Sequence, residues 1–226
     1  MTTNRSELIS IIIPCRNGAN YLAEAVAGIR KQDMPVEIIV VDDNSADQTA
    51  VLAESLDCRV IRHMTTRGQV AGKNTGLKES RGKYIVFHDH DDVMNEGVLA
   101  KMHQELVSDN SLYLVMAKVQ DFFSPELDEK SRQLIQIKAE PYYGLFTGAV
   151  LMRWKLFDIM GYFDERLNTG EIIALMAKIE AEPALRHKRI DLVASNRRVH
   201  NANFGRTHAG KERQDYLNVL RAKLRP

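Results

Sequence analysis

The chain's 226 residues carry 31 Lys and Arg against 30 Asp and Glu, a formal net charge of +1 at pH 7. That length supports one domain with a sizeable core, and so balanced a charge excludes a global field drawing the chain to nucleic acid or an anionic membrane. Cys15 and Cys58 are too few for a disulfide framework, and no signal peptide or membrane-spanning apolar run is legible, so a reducing cytoplasm is the expected location.

Residues 8–13 (LISIII) form an apolar, β-branched run closed by Pro14, which cannot continue a ladder; they read as a buried strand. A helix over 21–31 follows, with Leu22, Val26 and Ile29 at helical spacing and Asn20 as its expected cap. Residues 36–41 (VEIIVV) predict a second buried strand, and 45–56 a second helix with Ser45 and Gln48 at capping-box spacing. Arg59-Val60-Ile61 offers a third strand. Strand, helix, strand, helix, strand in this span predicts a parallel sheet with right-handed crossovers. A helix over 70–80, a strand over 83–87 (KYIVF) and a helix over 96–107 continue the pattern. Later strands are expected at 112–119 and 145–152, separated by the charged surface stretch SPELDEKSRQ. A helix at 171–181 turns Ile172, Leu175, Met176 and Ile179 inward, a short strand is expected at 189–194, and a polar, basic loop plus a helix near 212–224 close the chain.

Polar clusters fall just after three of these strands: Pro14-Cys15-Arg16-Asn17, Asp42-Asp43-Asn44-Ser45 and His88-Asp89-His90-Asp91-Asp92. In an open α/β sheet, ligands gather outside the carboxyl ends of the strands. Three strand ends therefore converge on one carboxylate-rich crevice. Crowded carboxylates raise each other's pKa unless a cation offsets the repulsion. Asp89 and Asp91, two apart in an extended segment, can face one side, and Mg²⁺ or Mn²⁺ takes one or two protein carboxylates while phosphate oxygens complete its shell. An isolated D-x-D is more often a turn, and Asp92 reads as a turn or cap for the helix near 96. The three coincident clusters favour the metal reading for the other two.

Four stretches carry a resemblance covering roughly residues 8–180: "SIIIPCRNGANYLAEAV", "IIVVDDNSADQT", "GQVAGKNTGLKESRGKYIVFHDHDD" and "FTGAVLMRWKLFDIMGYFDERL". In this order they resemble the family 2 glycosyltransferases of the GT-A fold, which move a sugar from a nucleotide diphosphate donor with inversion. The resemblance implies an α/β GT-A domain over 1–226, whose Rossmann-like sheet is mostly parallel, with mixed strands in the second half. About 1–120 would bind the nucleotide sugar, about 121–200 would form the acceptor side, and 201–226 would be a terminal loop and helix. Pro14, Arg16 and Asn17 would border the nucleotide, with Asp42 or Asp43 accepting from base and ribose. A carboxylate suits this because uracil N3–H and ribose hydroxyls are donors. Lys73, where the family usually has Arg, would sit near the base and diphosphate, and Asn74 would hold the donor loop. Asp91 would be the main ligand of Mn²⁺ or Mg²⁺, with Asp89 on ribose or metal.

"RRVH" at 197–200 resembles a late basic-His element in part of the family, which makes His200 a candidate ligand. A histidine satisfied by backbone is an equal reading. Arg197 and Arg198 read as phosphate clamps or as a solvated edge. Arg206, His208, Lys211 and Arg213 read as a polar tail, with a lid over the donor as the rival. Thr147 and Gly148 would line the acceptor side, and Trp154 reads as packing.

One position breaks the family pattern. The base that takes the acceptor proton is usually the aspartate of an E-D pair, but here the text is "NTGEIIALM", with Glu171 present and Ile172 in the aspartate position. Glu171 is the expected base, with Asp164 and Glu165 as substitutes, although glutamate also suits any first helical turn. The alternative is a catalytically silent nucleotide-sugar-binding module. Nucleotidyl transfer fits poorly, because "PCRNGANY" lacks a glycine-rich basic loop. A UDP-sugar is the favoured donor; the acceptor (glycan, lipid carrier, peptide or small molecule) and the oligomeric state are not encoded in any portable motif.

Overall fold

The computed structural model describes residues 6–144 and 146–203. In chain order its elements are β1 (Ser6–Cys15), α1 (Leu22–Arg30), β2 (Val36–Asp42), α2 (Thr49–Ser55), β3 (Arg59–Arg62), α3 (Gln69–Glu79), β4 (Gly82–Phe87), β5 (Val93–Met94), α4 (Val98–Ser108) and β6 (Leu112–Phe123). There follow α5 (Glu129–Leu134), a single 3-10 turn (Thr147–Ala149), β7 (Val150–Arg153), α6 (Lys155–Met160), α7 (Glu171–Ala181) and β8 (Arg186–Val199).

These strands form one sheet in the order β3-β2-β1-β4-β7-β6-β8-β5. The first four are mutually parallel, β7 runs antiparallel between β4 and β6, and β6 pairs with β8 in parallel. Side chains alternate across a strand, which splits the apolar runs between two cores. Ile9, Ile11, Ile13, Val40, Tyr84 and Val86 face α1 and α4 through Leu22, Val26, Ile29, Leu99 and Met102. Ile12, Ile39, Val41, Ile85 and Phe87 face the layer of α3, α6 and α7 through Val70, Leu77, Phe157, Leu175 and Ile179. Strands buried on both faces read as continuous hydrophobic runs, which is why the sequence shows them so clearly. Glycine matters where α3 meets the sheet: a Cβ at Gly76 would collide with Ile12, and one at Gly72 would sit 2.9 Å from Pro14 Cβ.

Several local expectations change. Neither Asn20 nor the Ser45–Gln48 pair caps a helix: α1 and α2 start without a side-chain cap from Tyr21 or Gln48. Ser45 Oγ instead accepts from Asn17 N at 2.9 Å, and Asp47 Oδ1 accepts from Thr49 N at 3.0 Å, so α2 begins four residues later. The 145–152 strand gives way to the 3-10 turn before β7. The short strand at 189–194 is the middle of the 14-residue β8, and β6 likewise runs on to Phe123. β5 covers β8 only at Ser195 and Asn196; the preceding residues form an edge whose charges mask the strand pattern while blunting the edge. The charged stretch 124–133 is a surface excursion, as expected, and α5 buries none of its residues. Trp154 packs against the second core, its Nε1 donating to Ser80 Oγ at 3.1 Å. No helix among the described residues is long and apolar enough to cross a membrane. The helix near 212–224 and Arg206, His208, Lys211 and Arg213 lie outside the described residues.

Candidate functional site

Parallel register brings the ends of β1, β2 and β4 together. Cys15 pairs with Asp42, Asp43 N donates to Cys15 O at 2.8 Å, and His88 N donates to Ile12 O at 2.9 Å. The buried Cys15 thiol is pushed far up by burial, then by the nearby carboxylates of Asp42, Asp47 and Asp91. The Asp42 and Asp91 carboxylates thus both act on Cys15, and a Cβ on Gly18 would collide with both Cys15 Sγ and His90, so the D-x-D turn closes on the end of β1. Asn17 ties the rim of that end: with φ of 53°, it accepts from Ala46 N through Oδ1 at 2.8 Å. Arg16 is exposed beside it and Pro14 is buried behind.

The two aspartates after β2 have different surroundings. Asp42 accepts from Ser45 N at 3.3 Å. Asp43 is wrapped by His63 Nδ1 at 2.7 Å, Arg67 N at 2.8 Å and Gly68 N at 2.8 Å. Burial acts to raise Asp43, but the hydrogen bonds from His63 and the two amides outweigh it and hold the carboxyl below its ordinary range. Asp43 therefore fixes the loop that enters α3, whereas the Asp42 carboxylate is tied, among the described residues, only to the amide three residues on in its own turn. His63 was missed in the sequence; its position straight after a strand was the available signal.

The D-x-D turn after β4 is gripped by the end of β8. Asp91 Oδ2 lies 2.8 Å from His200 Nε2 and 3.2 Å from Asn203 Nδ2. Burial works to raise Asp91, yet the His200 hydrogen bond and the His90 charge bring it down to about 2. Ala202 N donates to His200 Nδ1 at 3.3 Å, which puts the ring proton on Nε2, facing Asp91. Asp89 accepts from Gln69 Nε2 at 3.0 Å. Among the described residues no group of three or more His, Cys, Asp and Glu converges as a metal cage. The site fits a hard divalent ion held by one or two protein groups and completed by phosphate oxygens. Asp91 fits directly; His200 would ligate only once Nδ1 takes its proton.

Asp92, read as a turn residue, accepts from Arg198 N at 2.9 Å, and burial, then the charges of Asp91 and Asp89, push its pKa well up. His88 donates through Nδ1 to Asp89 O at 2.7 Å, and burial lowers its pKa, so the ring stays neutral. Its Nε2 and Ser195 Oγ are buried without a hydrogen-bond partner among the described residues. Arg198 is neither phosphate clamp nor solvated edge: it is 3% exposed and joined to Glu24 by an ion pair. Arg197 sits over the Phe146 ring at 4.9 Å and 3.4 Å from Asp121 Oδ1.

On the other side of the sheet's end, Glu171 starts α7 and is 5% exposed, ion-paired with Lys73. Lys73 Nζ also donates to Thr147 Oγ1 at 3.2 Å. Lys73, expected near the base and diphosphate, is thus joined to Glu171 and Thr147, the residues expected on the acceptor side. Asn74, expected to hold the donor loop, clasps the Phe163 backbone: Oδ1 accepts from Phe163 N at 3.0 Å and Nδ2 donates to Phe163 O at 2.9 Å. Glu165 accepts from Asn74 at 3.0 Å and pairs with Arg67 at 3.0 Å; Asp164 pairs with Arg166 at 2.6 Å. The Asn74 bond lowers Glu165 and the Arg166 bond lowers Asp164. Ile172 lies in the core at 4% exposed. Glu171 and Asp164 both line a cavity of about 690 Å³ between α7 and the 160–167 segment. Gly148 has room: a Cβ there would meet nothing nearer than His88 at 3.7 Å.

A parallel nucleotide-type sheet with acidic turns at its strand ends and mixed strands beyond them defines a GT-A-type α/β fold. Solved structures share it. Staphylococcus aureus TarS 1–349 in complex with UDP-GlcNAc aligns with a TM-score of 0.73 at 22% identity, over 95% of this chain and 65% of that one. The mannosyltransferase PcManGT from Pyrobaculum calidifontis, in complex with GDP-Man and Mn²⁺, aligns with a TM-score of 0.70 at 20% identity, over 97% and 65%. Residues 10–165 match the family described as Glycosyl transferase family 2, and the chain belongs to it. A curated relative, the uncharacterized glycosyltransferase RP339 of Rickettsia prowazekii, is 32% identical over 72% of this chain. The poly(ribitol-phosphate) β-N-acetylglucosaminyltransferase TarS of S. aureus strain Mu50 is 34% identical over 72%. The chain spans 55% of the Rickettsia protein and 30% of TarS.

Proposed function

We propose that this domain binds a nucleoside diphosphate sugar across the ends of β1, β2 and β4 and transfers the sugar, with inversion, to an acceptor near Thr147, Gly148 and Glu171. The observation that carries the reading is the convergence of three strand ends: Cys15 pairs with Asp42, His88 N donates to Ile12 O at 2.9 Å, and Gly18 is wedged between Cys15 Sγ and the His90 ring of the D-x-D turn. Asp42 accepts from ribose or base, with Pro14, Arg16 and Asn17 along the rim, and Asp43 supports them through the loop it fixes. A UDP-sugar is favoured, in keeping with the UDP-GlcNAc complex of TarS. Mn²⁺ or Mg²⁺ would be held by Asp91, with Asp89 and His200 beside it, a reading supported by the Mn²⁺ in the PcManGT complex. When bound, the ion offsets the charge that develops on the departing diphosphate.

Glu171 takes the acceptor's hydroxyl proton while the new O–C1 bond forms and the bond from C1 to the diphosphate breaks. Lys73 holds the Glu171 carboxylate in place through their ion pair and ties it to Thr147. The relatives carry transferase names, which favours transfer over the silent module suggested by Ile172.

Calorimetry with UDP and a panel of UDP-sugars, with and without Mn²⁺, tests this. Metal-dependent binding should vanish in Asp91→Asn and persist in Glu171→Gln, which should lose transfer alone. Wild-type protein with no metal-dependent affinity for any nucleotide or nucleotide sugar would end the proposal.

A further inference from the structure

The structure assigns Arg198 as the residue that positions Asp91, through the D-x-D main chain rather than its carboxylate; this rests on the metal reading above. Four parts of the fold meet on this one side chain. Its Nε donates to Asp91 O at 2.9 Å, while its own backbone N donates to Asp92 Oδ1 at 2.9 Å. A terminal nitrogen pairs with Glu24 of α1, and the other donates to Ser124 Oγ at 3.4 Å, just beyond β6. The guanidinium lies between two rings, 5.2 Å from Tyr21 and 4.7 Å from Phe122. Tyr21 packs in turn on His200, centroid to centroid at 4.7 Å.

The geometry separates two tasks. His200 and Asn203 hold the Asp91 carboxylate, whereas Arg198 registers the Asp91 peptide against β8 and α1. A planar fork with several fixed donors can satisfy a carbonyl, a hydroxyl and a carboxylate at once. A lysine ammonium could keep the charge beside Glu24 but could not reproduce that fork. Residues that orient a metal ligand commonly change metal affinity 10- to 100-fold when removed. Arg198 therefore governs how tightly the ion is held, with the nucleotide contacts of Asp42 and Asn17 left in place.

The experiment uses the full chain. Mn²⁺ is titrated by EPR with UDP present, UDP binding is measured separately in EDTA, and thermal midpoints are recorded for wild type, Arg198→Met, Arg198→Lys and Glu24→Gln. Arg198→Met should weaken Mn²⁺ about 10- to 100-fold, with UDP affinity in EDTA within about twofold of wild type. Arg198→Lys should weaken Mn²⁺ nearly as much, and Glu24→Gln far less, since it leaves the Asp91 carbonyl bond intact. Wild-type Mn²⁺ affinity in Arg198→Lys overturns the assignment, and that variant decides the matter if Arg198→Met does not fold. Should wild type bind no Mn²⁺ at all, the functional reading falls, and ¹⁵N NMR of the His200 ring decides this one. An Nε2–H signal that changes in Arg198→Lys keeps the assignment; one that matches wild type ends it.

Discussion

Two carboxylates anchor the proposed site, the partly buried Asp91 and the buried Glu171, and their partners differ in kind. Asp91 is held by a histidine ring and an amide, whereas Glu171 is held by a lysine ammonium. A neutral donor can be displaced by an incoming cation; a full charge, once buried, must stay paired. In the proposed reaction the Asp91 end trades its partners for a cation, whereas the Glu171 end keeps its lysine at rest and gives up that charge only on taking the acceptor proton.

The largest effect should come from breaking the buried pair. Lys73→Met removes the partner of the buried Glu171 carboxyl, which costs about 3–5 kcal/mol, read as a fall in the urea midpoint. Lys73→Met with Glu171→Leu should recover most of that stability, because no charge is left stranded, while transfer stays lost. Asp91→Asn is the converse: the amide can still accept from His200, so folding survives, but metal-dependent turnover should fall at least about 100-fold, or about 2.7 kcal/mol of transition-state stabilisation. A stability loss larger than the catalytic loss at Asp91 would erase the contrast.

Asn74 tests where the boundary between the ends lies. Its amide satisfies both backbone groups of Phe163, so Asn74→Ala strands a buried N–H and C=O at about 1–3 kcal/mol. If Asn74 belongs to the acceptor end, transfer should drop while UDP affinity in the presence of Mn²⁺ stays unchanged. A parallel loss of UDP affinity would return it to the donor loop.

The proposed donor end was far more legible in the sequence than the proposed acceptor end, for a physical reason. LISIII, VEIIVV and KYIVF are buried on both faces, so their pattern is continuous, and their polar termini mark where the strands end without any knowledge of packing. The Glu171 end, and the grip of β8 on Asp91, depend on pairs distant in the chain: Lys73 and Glu171 are 98 positions apart, and Arg198 lies 107 from Asp91. Lysine at a family arginine position looked like a phosphate contact because nothing local reveals its partner. β8 hid because its first half is a charged edge, and Asp43 looked equivalent to Asp42 until the loop from His63 to Gly68 folded over it.

The smallest expected effect concerns the acid that neither end uses as a ligand. Asp92 accepts from Arg198 N, and burial beside Asp91 and Asp89 raises its pKa well above the ordinary value. A raised carboxyl pKa means the folded state binds a proton that the unfolded state has released, so Asp92 lowers stability as pH climbs through its folded pKa. Asp91 and Asp43 have the opposite sign: their depressed values stabilise the fold above about pH 4, and that contribution fades as pH falls toward 2 for Asp91. Asp92→Asn keeps an oxygen for the Arg198 amide and removes only the proton equilibrium. Urea midpoints in EDTA should therefore match wild type near pH 4 and exceed it at pH 8. Should the variant be less stable at pH 8, Asp92 is ionised in the fold and its charge is already compensated, which would make it a third member of the exchangeable end.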